Sequence, residues 1–323
     1  MTPHRSFTRR TLLTALASTA AVSSGWAQSY PSKPIRLVLP VGGGNATDSM
    51  ARAVAERIRE IGGQPAVVEN RPGGDLLIAT NEVMTAPPDG HSILLVSPGS
   101  MAISPLFVPA WPYKPQDIKP LAFVSKHAAV LATSGASNLR SFADLMAAAQ
   151  APTGVNVGTY GPTFRLGLGS LARRTRANLV NIPYKAVTQV LTDVAAGSTT
   201  AGLVEVASTA ELVGSGRLRA LAVTGRQRDP ALPQVPTIRE LLADDFEFVS
   251  WIGFGVPAQT PSFVQKEAEA LLLKAIRHSA VRQLIERLPG AEFIGGDARQ
   301  FESWVASETD RFRAMKNSGF ALQ

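Results

Sequence analysis

The 323-residue chain carries 32 basic and 25 acidic residues, a formal net charge of +7, and no cysteine. Without cysteine, disulfides, thiolate nucleophiles, cysteine-ligated metals and a lipid-anchored cysteine are excluded. The charge is scattered, with Arg173, Arg174 and Arg176 as the tight basic cluster; this reads as a solvated helix face and makes no case for nucleic acid.

Residues 1–27 hold no Asp or Glu, begin with Arg5, Arg9 and Arg10, continue through an apolar run from Leu12 to Val22, and reach Gly25-Trp26-Ala27. That is the order of a secretory signal peptide, and the apolar run is about half the roughly 20 residues a membrane-spanning helix needs. Thr8-Arg9-Arg10-Thr11-Leu12-Leu13 has a twin-arginine look, which leaves the export route open. Removing three arginines leaves 29 basic against 25 acidic residues, a net charge of +4 for a periplasmic product, free in solution and expected to be a monomer.

From there the chain alternates short apolar runs with longer periodic ones, the pattern of α/β structure. Ile35–Leu39 predicts a buried strand. Met50, Val54, Ile58 and Ile61 predict one face of a helix stopped by Gly62-Gly63, and Ala66–Val68 predicts the strand that completes a βαβ unit with a right-handed crossover. A helix is expected over Leu76–Thr85 and strands at 93–96, 130–132, 155–157, 180–182 and 218–223. Helices are expected at 164–175 and 187–196, a strand at 251–256, then helices at 262–278, 280–288 and 298–315. The stretches 109–120 and 226–247 read as irregular connections. They bracket a middle segment with its own βα pattern, so the expected division is residues 28–124 and 250–323 in one lobe and 125–249 in the other.

Two loops are candidates for holding a ligand. Pro40-Val41-Gly42-Gly43-Gly44-Asn45-Ala46-Thr47-Asp48 joins the first strand to a helix, where glycines permit close backbone approach and free N–H groups with a positive dipole end suit an anion. Asn45, Thr47 and Asp48 are each able to cap that helix. A tight strand-to-helix turn with no ligand is the competing reading, and without a Lys after the glycines a P-loop is disfavoured. The second loop, Gly158-Thr159-Tyr160-Gly161-Pro162-Thr163-Phe164-Arg165, also opens a helix. Within it Gly167–Ala172 matches GxGxxA, but its glycines fall inside the helix and no acidic residue ends the next strand, so no dinucleotide cofactor is expected. Past the strand at 93–96, Ser97 is a further candidate. His91, His127 and His278 are widely separated, there is no GxSxG elbow, and Asp244-Asp245 reads as a solvated turn, so neither a metal nor a catalytic centre has local support.

Tyr30-Pro31-Ser32-Lys33-Pro34-Ile35, the VGGGNATD loop, PAVVENRPGG at 65–74, PPDGHSILL at 87–95, NIPYK at 181–185, RLRALAVTGRQRDPALPQVPTIREL at 217–241 and SWIGFGVPAQTP at 250–261 resemble, in collinear order, the Bug family. These are the TctC-type periplasmic receptors of tripartite tricarboxylate transporters. The resemblance implies a type II periplasmic binding protein fold: two α/β lobes with a ligand cleft and two crossing strands. It implies a small carboxylate ligand, with dicarboxylates and amino acids among those the family is associated with, and membrane permease subunits as partners. Carried over, Gly44, Ala46, Thr47 and Asp48 match the family's first loop, Thr159 and Gly161 its second, Tyr184 and Lys185 its PYK and Trp251 its tryptophan, while Gly43, Asn45, Thr163 and Arg165 are ligand candidates from the loops of this chain. The chain departs from the family pattern at Asn45, which replaces a glycine and as asparagine tolerates the left-handed region. It departs also at Asp75-Leu76, at Thr163, Phe164, Arg165 and Gly167, and around Ser198–Thr200. Arg165 reads either as the partner of a second ligand carboxyl group or as a surface helix arginine. A receptor that reports to a sensor fits the same ligand residues as one that feeds a permease, and an enzyme on this fold is the third reading.

Overall fold

In a computed structural model of the chain, residues 30–322 are described; the expected signal segment lies outside them. Strand β1 (Ile35–Leu39) leads through the Gly-rich loop to helix α1 (Ala46–Gly62) and then to β2 (Ala66–Asn70), which pairs parallel to β1 as a βαβ unit requires. Along β1, Ile35, Leu37 and Leu39 join the core that holds Met50, Val54 and Ile58 of α1, while Val38 points to a second core on the opposite face. Gly63 ends α1 at φ 70°, its amide donating to the Arg59 carbonyl at 3.1 Å, a left-handed cap open to glycine without strain.

The first half of the fold adds α2 (Leu77–Met84), β3 (Ser92–Val96) and α3 (Ser104–Phe107). Then β4 runs for 17 residues, Ile118–Ser134. The other half is built from α4 (Phe142–Ala148), β5 (Val155–Tyr160), α5 (Gly161–Thr175), β6 (Leu179–Tyr184), α6 (Val187–Ala196), β7 (Ala201–Glu205), α7 (Val206–Gly214), β8 (Leu218–Val223) and α8 (Ile238–Leu242). The chain returns through β9 (Val249–Pro257) to α9 (Ser262–Ile276), α10 (Ser279–Glu286), β10 (Ala291–Gly296) and α11 (Ala298–Asn317).

The strand order is β2-β1-β3-β9-β4-β7-β5-β6, with β8 and β10 also paired to β4. Up to Ala128, β4 pairs antiparallel with β9 and β10; from Ala129 it pairs with β7 and β8. The strand therefore passes from one half into the other, and β9 returns beside it with Lys126 opposite Trp251 and Ala128 opposite Val249. At the crossing, the buried Thr224 hydroxyl donates to the Phe248 carbonyl at 2.5 Å and accepts the Ala129 amide at 2.8 Å, giving both backbone groups a partner where the sheet partners change.

Several expectations change. The strand expected at 130–132 is the 17-residue β4, because Pro120, Lys126 and His127 mask its apolar pattern. The helix expected from Leu76 begins at Leu77 after a 3-10 turn over Gly74–Leu76. Within the stretches read as irregular, β4 begins at Ile118 and α8 covers Ile238–Leu242. Strands β7 and β10 and helices α3, α4 and α7 carry no strong period of their own and were not expected from the sequence. The far end of α11 leaves the first half: Phe301 and Val305 belong to the core with Phe123 and Trp251, whereas Phe312 packs into the core with Phe164 and Phe248.

Candidate ligand-binding cleft

Between the two halves lies a cleft of about 910 Å³ onto which four helices open. Gly43, Gly44, Asn45, Ala46 and Thr47 line it from the start of α1. Asn45 sits at φ −93°, ψ 174° as the helix cap, its side chain accepting the Asp48 amide at 2.9 Å. The left-handed residue is Gly44 at φ 83°, so asparagine takes the capping role and not the αL role that its replacement of a family glycine suggested. This cap satisfies one donor, and the Ala46 and Thr47 amides, which have no acceptor within the helix, remain at the cleft.

Asp48 is buried behind this loop. Its Oδ2 accepts the Gly44 amide at 2.9 Å and Arg52 Nε at 3.0 Å, and its Oδ1 accepts Asn70 Nδ2 at 3.0 Å. Burial alone would raise the carboxyl pKa, but the donors from Arg52, Gly44 and Asn70 outweigh it and hold the group below its ordinary value. Asn70 also donates to the Val41 carbonyl at 3.1 Å. The end of β2 thus clamps the loop that follows β1.

Helix α5 enters from the opposite side. Its cap residue, Tyr160, makes no side-chain capping bond, and Pro162 has no N–H, so the first-turn amides of Gly161 and Thr163 are left for a ligand. Gly161 stands at φ 64°. The Tyr160 and Phe164 rings stack at 4.9 Å and 26° along the wall. Arg165 also lines the cleft and donates from Nη2 to Asp75 Oδ2 at 2.5 Å, joining the two sides.

Helix α6 opens onto the rim at Val187 and Thr188, again without a side-chain cap, beside the exposed Lys185. The Tyr184 ring faces the cleft, but its hydroxyl is engaged with Asp193 Oδ2 at 2.8 Å and Thr199 Oγ1 at 2.6 Å. Helix α7 follows its cap residue Glu205, whose Oε1 accepts the Tyr160 hydroxyl while Oε2 is buried without a partner. Burial pushes the Glu205 pKa up, against the lowering effect of the Tyr160 hydrogen bond. The floor comes from the crossing strands: Ser125, His127, Ser250 and Ile252. Ser125 Oγ and His127 Nε2 are 2.8 Å apart, and burial lowers the His127 pKa to about 4, so the ring is neutral near pH 7.

Of the residues singled out in the sequence, the structure brings Gly43, Gly44, Asn45, Ala46, Thr47, Ser97, Gly161, Thr163, Arg165, Tyr184 and Lys185 to the cleft. Asp48, Thr159 and Trp251 do not line it. Thr159 is fully buried, its hydroxyl donating to Asn181 Oδ1 at 2.6 Å. Trp251 is fully buried against Phe301 (5.3 Å, 87°) and Phe123 (6.4 Å, 76°). Both follow from strand alternation: Tyr160 beside Thr159, and Ser250 and Ile252 beside Trp251, face the cleft instead. Sequence reasoning missed Tyr160, Glu205, Ser125, His127 and Ser250 as lining residues, and the period of two through β4 and β9 was the signal that would have found the last three. The GxGxxA glycines lie within α5, where the Gly167 position abuts Phe248 and the Gly169 position abuts Phe320; they make room for packing. Among the described residues no group of three or more His, Asp or Glu is placed to hold a metal ion, and no helix is long and apolar enough to cross a membrane.

Residues 50–318 match the family described as the tripartite tricarboxylate transporter family receptor. A UPF0065 protein in the tcbD-tcbE intergenic region of Pseudomonas sp. (strain P51) is 32% identical over 316 residues, covering 95% of this chain and 93% of that one. The structure of R. palustris Rpa4515 with adipate superposes with a TM-score of 0.82 at 28% identity, covering 90% of this chain and 99% of the other. The structure of the periplasmic binding protein BugD does so with a TM-score of 0.80 at 26% identity, covering 91% and 100%.

Proposed function

The chain belongs to the tripartite tricarboxylate transporter receptor family, and from that premise we propose that it captures a small organic carboxylate between its two lobes and delivers it to a membrane permease of the tripartite tricarboxylate type. The observation that carries this reading is the convergence of helix N-termini on one cleft, with the amides of Ala46, Thr47, Gly161 and Thr163 left as donors from opposite sides. A carboxylate accepts several such N–H groups, and the dipole ends add to the attraction. The likeness to a relative whose structure holds adipate supports the same class. The lobes divide as residues 28–124 with 250–323 around 125–249, with the far end of α11 docked on the inner lobe, and the exported protein acts as a monomer in the periplasm.

The test is the thermal shift of the protein lacking residues 1–27 against a panel of carboxylates. A bound solute raises the melting temperature by mass action, by about 2.7 kcal/mol of stabilisation at one hundred times Kd. A shift with neutral or cationic solutes and with no carboxylate overturns the reading.

A further inference from the structure

The charged side chains on the cleft are Asp75, Arg165, Lys185 and Glu205. Arg165 is the cation closest in character to a partner for a second ligand carboxylate, and it is already paired. Its Nη2 meets Asp75 Oδ2 at 2.5 Å, its side chain is 18% exposed, and its Nε is buried with no acceptor. Asp75 is held there by its backbone. Gly73, Gly74, Asp75 and Leu76 all have positive φ (113°, 58°, 49° and 80°), a run that non-glycine residues adopt only when their surroundings demand it. Leu76 supplies that demand: a Cβ built at Gly99 would lie 2.5 Å from Leu76 Cδ1 and 3.0 Å from Pro162 Cγ, so Leu76 and the start of α5 converge on Gly99. The chain thus carries its own carboxylate on a braced strap, presented from one lobe to the arginine of the other.

The remaining cleft offers a second carboxylate little. Glu205 brings a further acidic group, with its Oε2 unpartnered. Lys185 and Thr188 sit at the exposed rim, where water screens them. Between lie Phe164, Ile252, Ile285 and Leu288. We propose that Asp75 acts as a built-in counter-anion that takes Arg165 out of ligand recognition, so that the solute is a monocarboxylate with an uncharged, largely apolar body. An unpaired charge in such surroundings is costly, and like charges add to that cost. This rests on the carboxylate reading above and narrows it.

Matched pairs of equal length test it: butyrate and succinate, hexanoate and adipate, octanoate and suberate, 4-methylbenzoate and terephthalate, each titrated calorimetrically and by thermal shift. The wild type is expected to bind the better monocarboxylates at least about tenfold more tightly than their diacid partners, since like-charge juxtaposition costs several kcal/mol. Asp75→Asn frees Arg165 and is expected to move that ratio toward the diacid by about tenfold or more, and Arg165→Gln in the same background to abolish the gain. Diacids binding as tightly as monoacids in the wild type, or a ratio unchanged by Asp75→Asn in a folded variant, overturns the proposal. If no carboxylate binds and a neutral or cationic solute does, the broader reading fails with it.

Discussion

The Gly44 amide and the Asp48 carboxylate close a short ring at the mouth of the first loop, N to Oδ2 in 2.9 Å, with Gly44 left-handed and Asp48 4% exposed. Asp48 shapes the loop from behind. Asp48→Ala leaves the Gly44 amide without its acceptor and removes one of the two acceptors of Asn70 Nδ2, and the expected loss of stability is about 2–4 kcal/mol. Urea unfolding measures it. The same variant is expected to weaken carboxylate binding although its side chain does not line the cleft, and unchanged affinity in a folded Asp48→Ala protein would contradict the loop-shaping role.

Gly44→Ala separates backbone from side-chain effects. No heavy atom lies within 4 Å of the Cβ it would gain, so the cost is that of the left-handed backbone at φ 83°, about 1–2 kcal/mol. The expected drop in Tm is a few degrees, accompanied by weaker ligand binding. A Tm equal to that of the wild type would show that the loop relaxes without penalty.

Trp251→Ala removes the hub of the Phe123–Phe301 cluster and is expected to cost about 3–5 kcal/mol. Trp251→Phe is expected to cost far less, because the indole N–H has no acceptor to lose. Carboxylate affinity, measured where both variants are folded, should change less than twofold. A loss of tenfold or more in Trp251→Phe would place the ring in contact with solute.

His127 gives the fold a pH dependence of known sign. Its folded pKa of about 4 lies below the ordinary 6.5, so the unfolded chain takes up a proton first as pH falls. The stability due to the neutral ring is complete above about pH 6.5 and is lost toward pH 4, at most about 3 kcal/mol. Glu205 works the other way: its pKa is raised in the fold, so the stability it contributes fades as pH rises from the unfolded glutamate value through the folded one. The difference between wild type and His127→Gln isolates the histidine. Between pH 6.5 and 4.5 the variant is expected to lose less Tm than the wild type, and parallel curves would refute the assignment.

Legibility in the sequence followed the strength of local periodicity. Helix α6 spans Val187–Ala196 as its spacing predicts, and β1 and β8 likewise match, because their apolar residues dominate and keep a clear period around Arg36, Arg219 and Asp193. The sequence pattern predicts only three residues of β4 because Pro120 stands at a register shift, His127 faces the space between the lobes, where polar residues belong, and Lys126 turns to the other face, over the Trp304 ring at 3.7 Å. β7 (AGLVE) and β10 (AEFIGG) are short and glycine-bearing, and only their partners make them strands. In the cleft, loop residues were legible because glycines next to a helix start have a backbone reason to be there. The Tyr160–Glu205 contact spans 45 residues and the Asp75–Arg165 pair spans 90, and no local rule joins such positions.

The continuity of β4 ties the two lobes into one thermodynamic unit. Its first eleven residues complete one sheet and its last six another, and α11 places Phe301 in one core and Phe312 in the other. Neither half retains a whole sheet if the other melts. The chain should therefore unfold in a single cooperative transition, with calorimetric and van't Hoff enthalpies in agreement. A protease cut within the crossing should release no stable lobe.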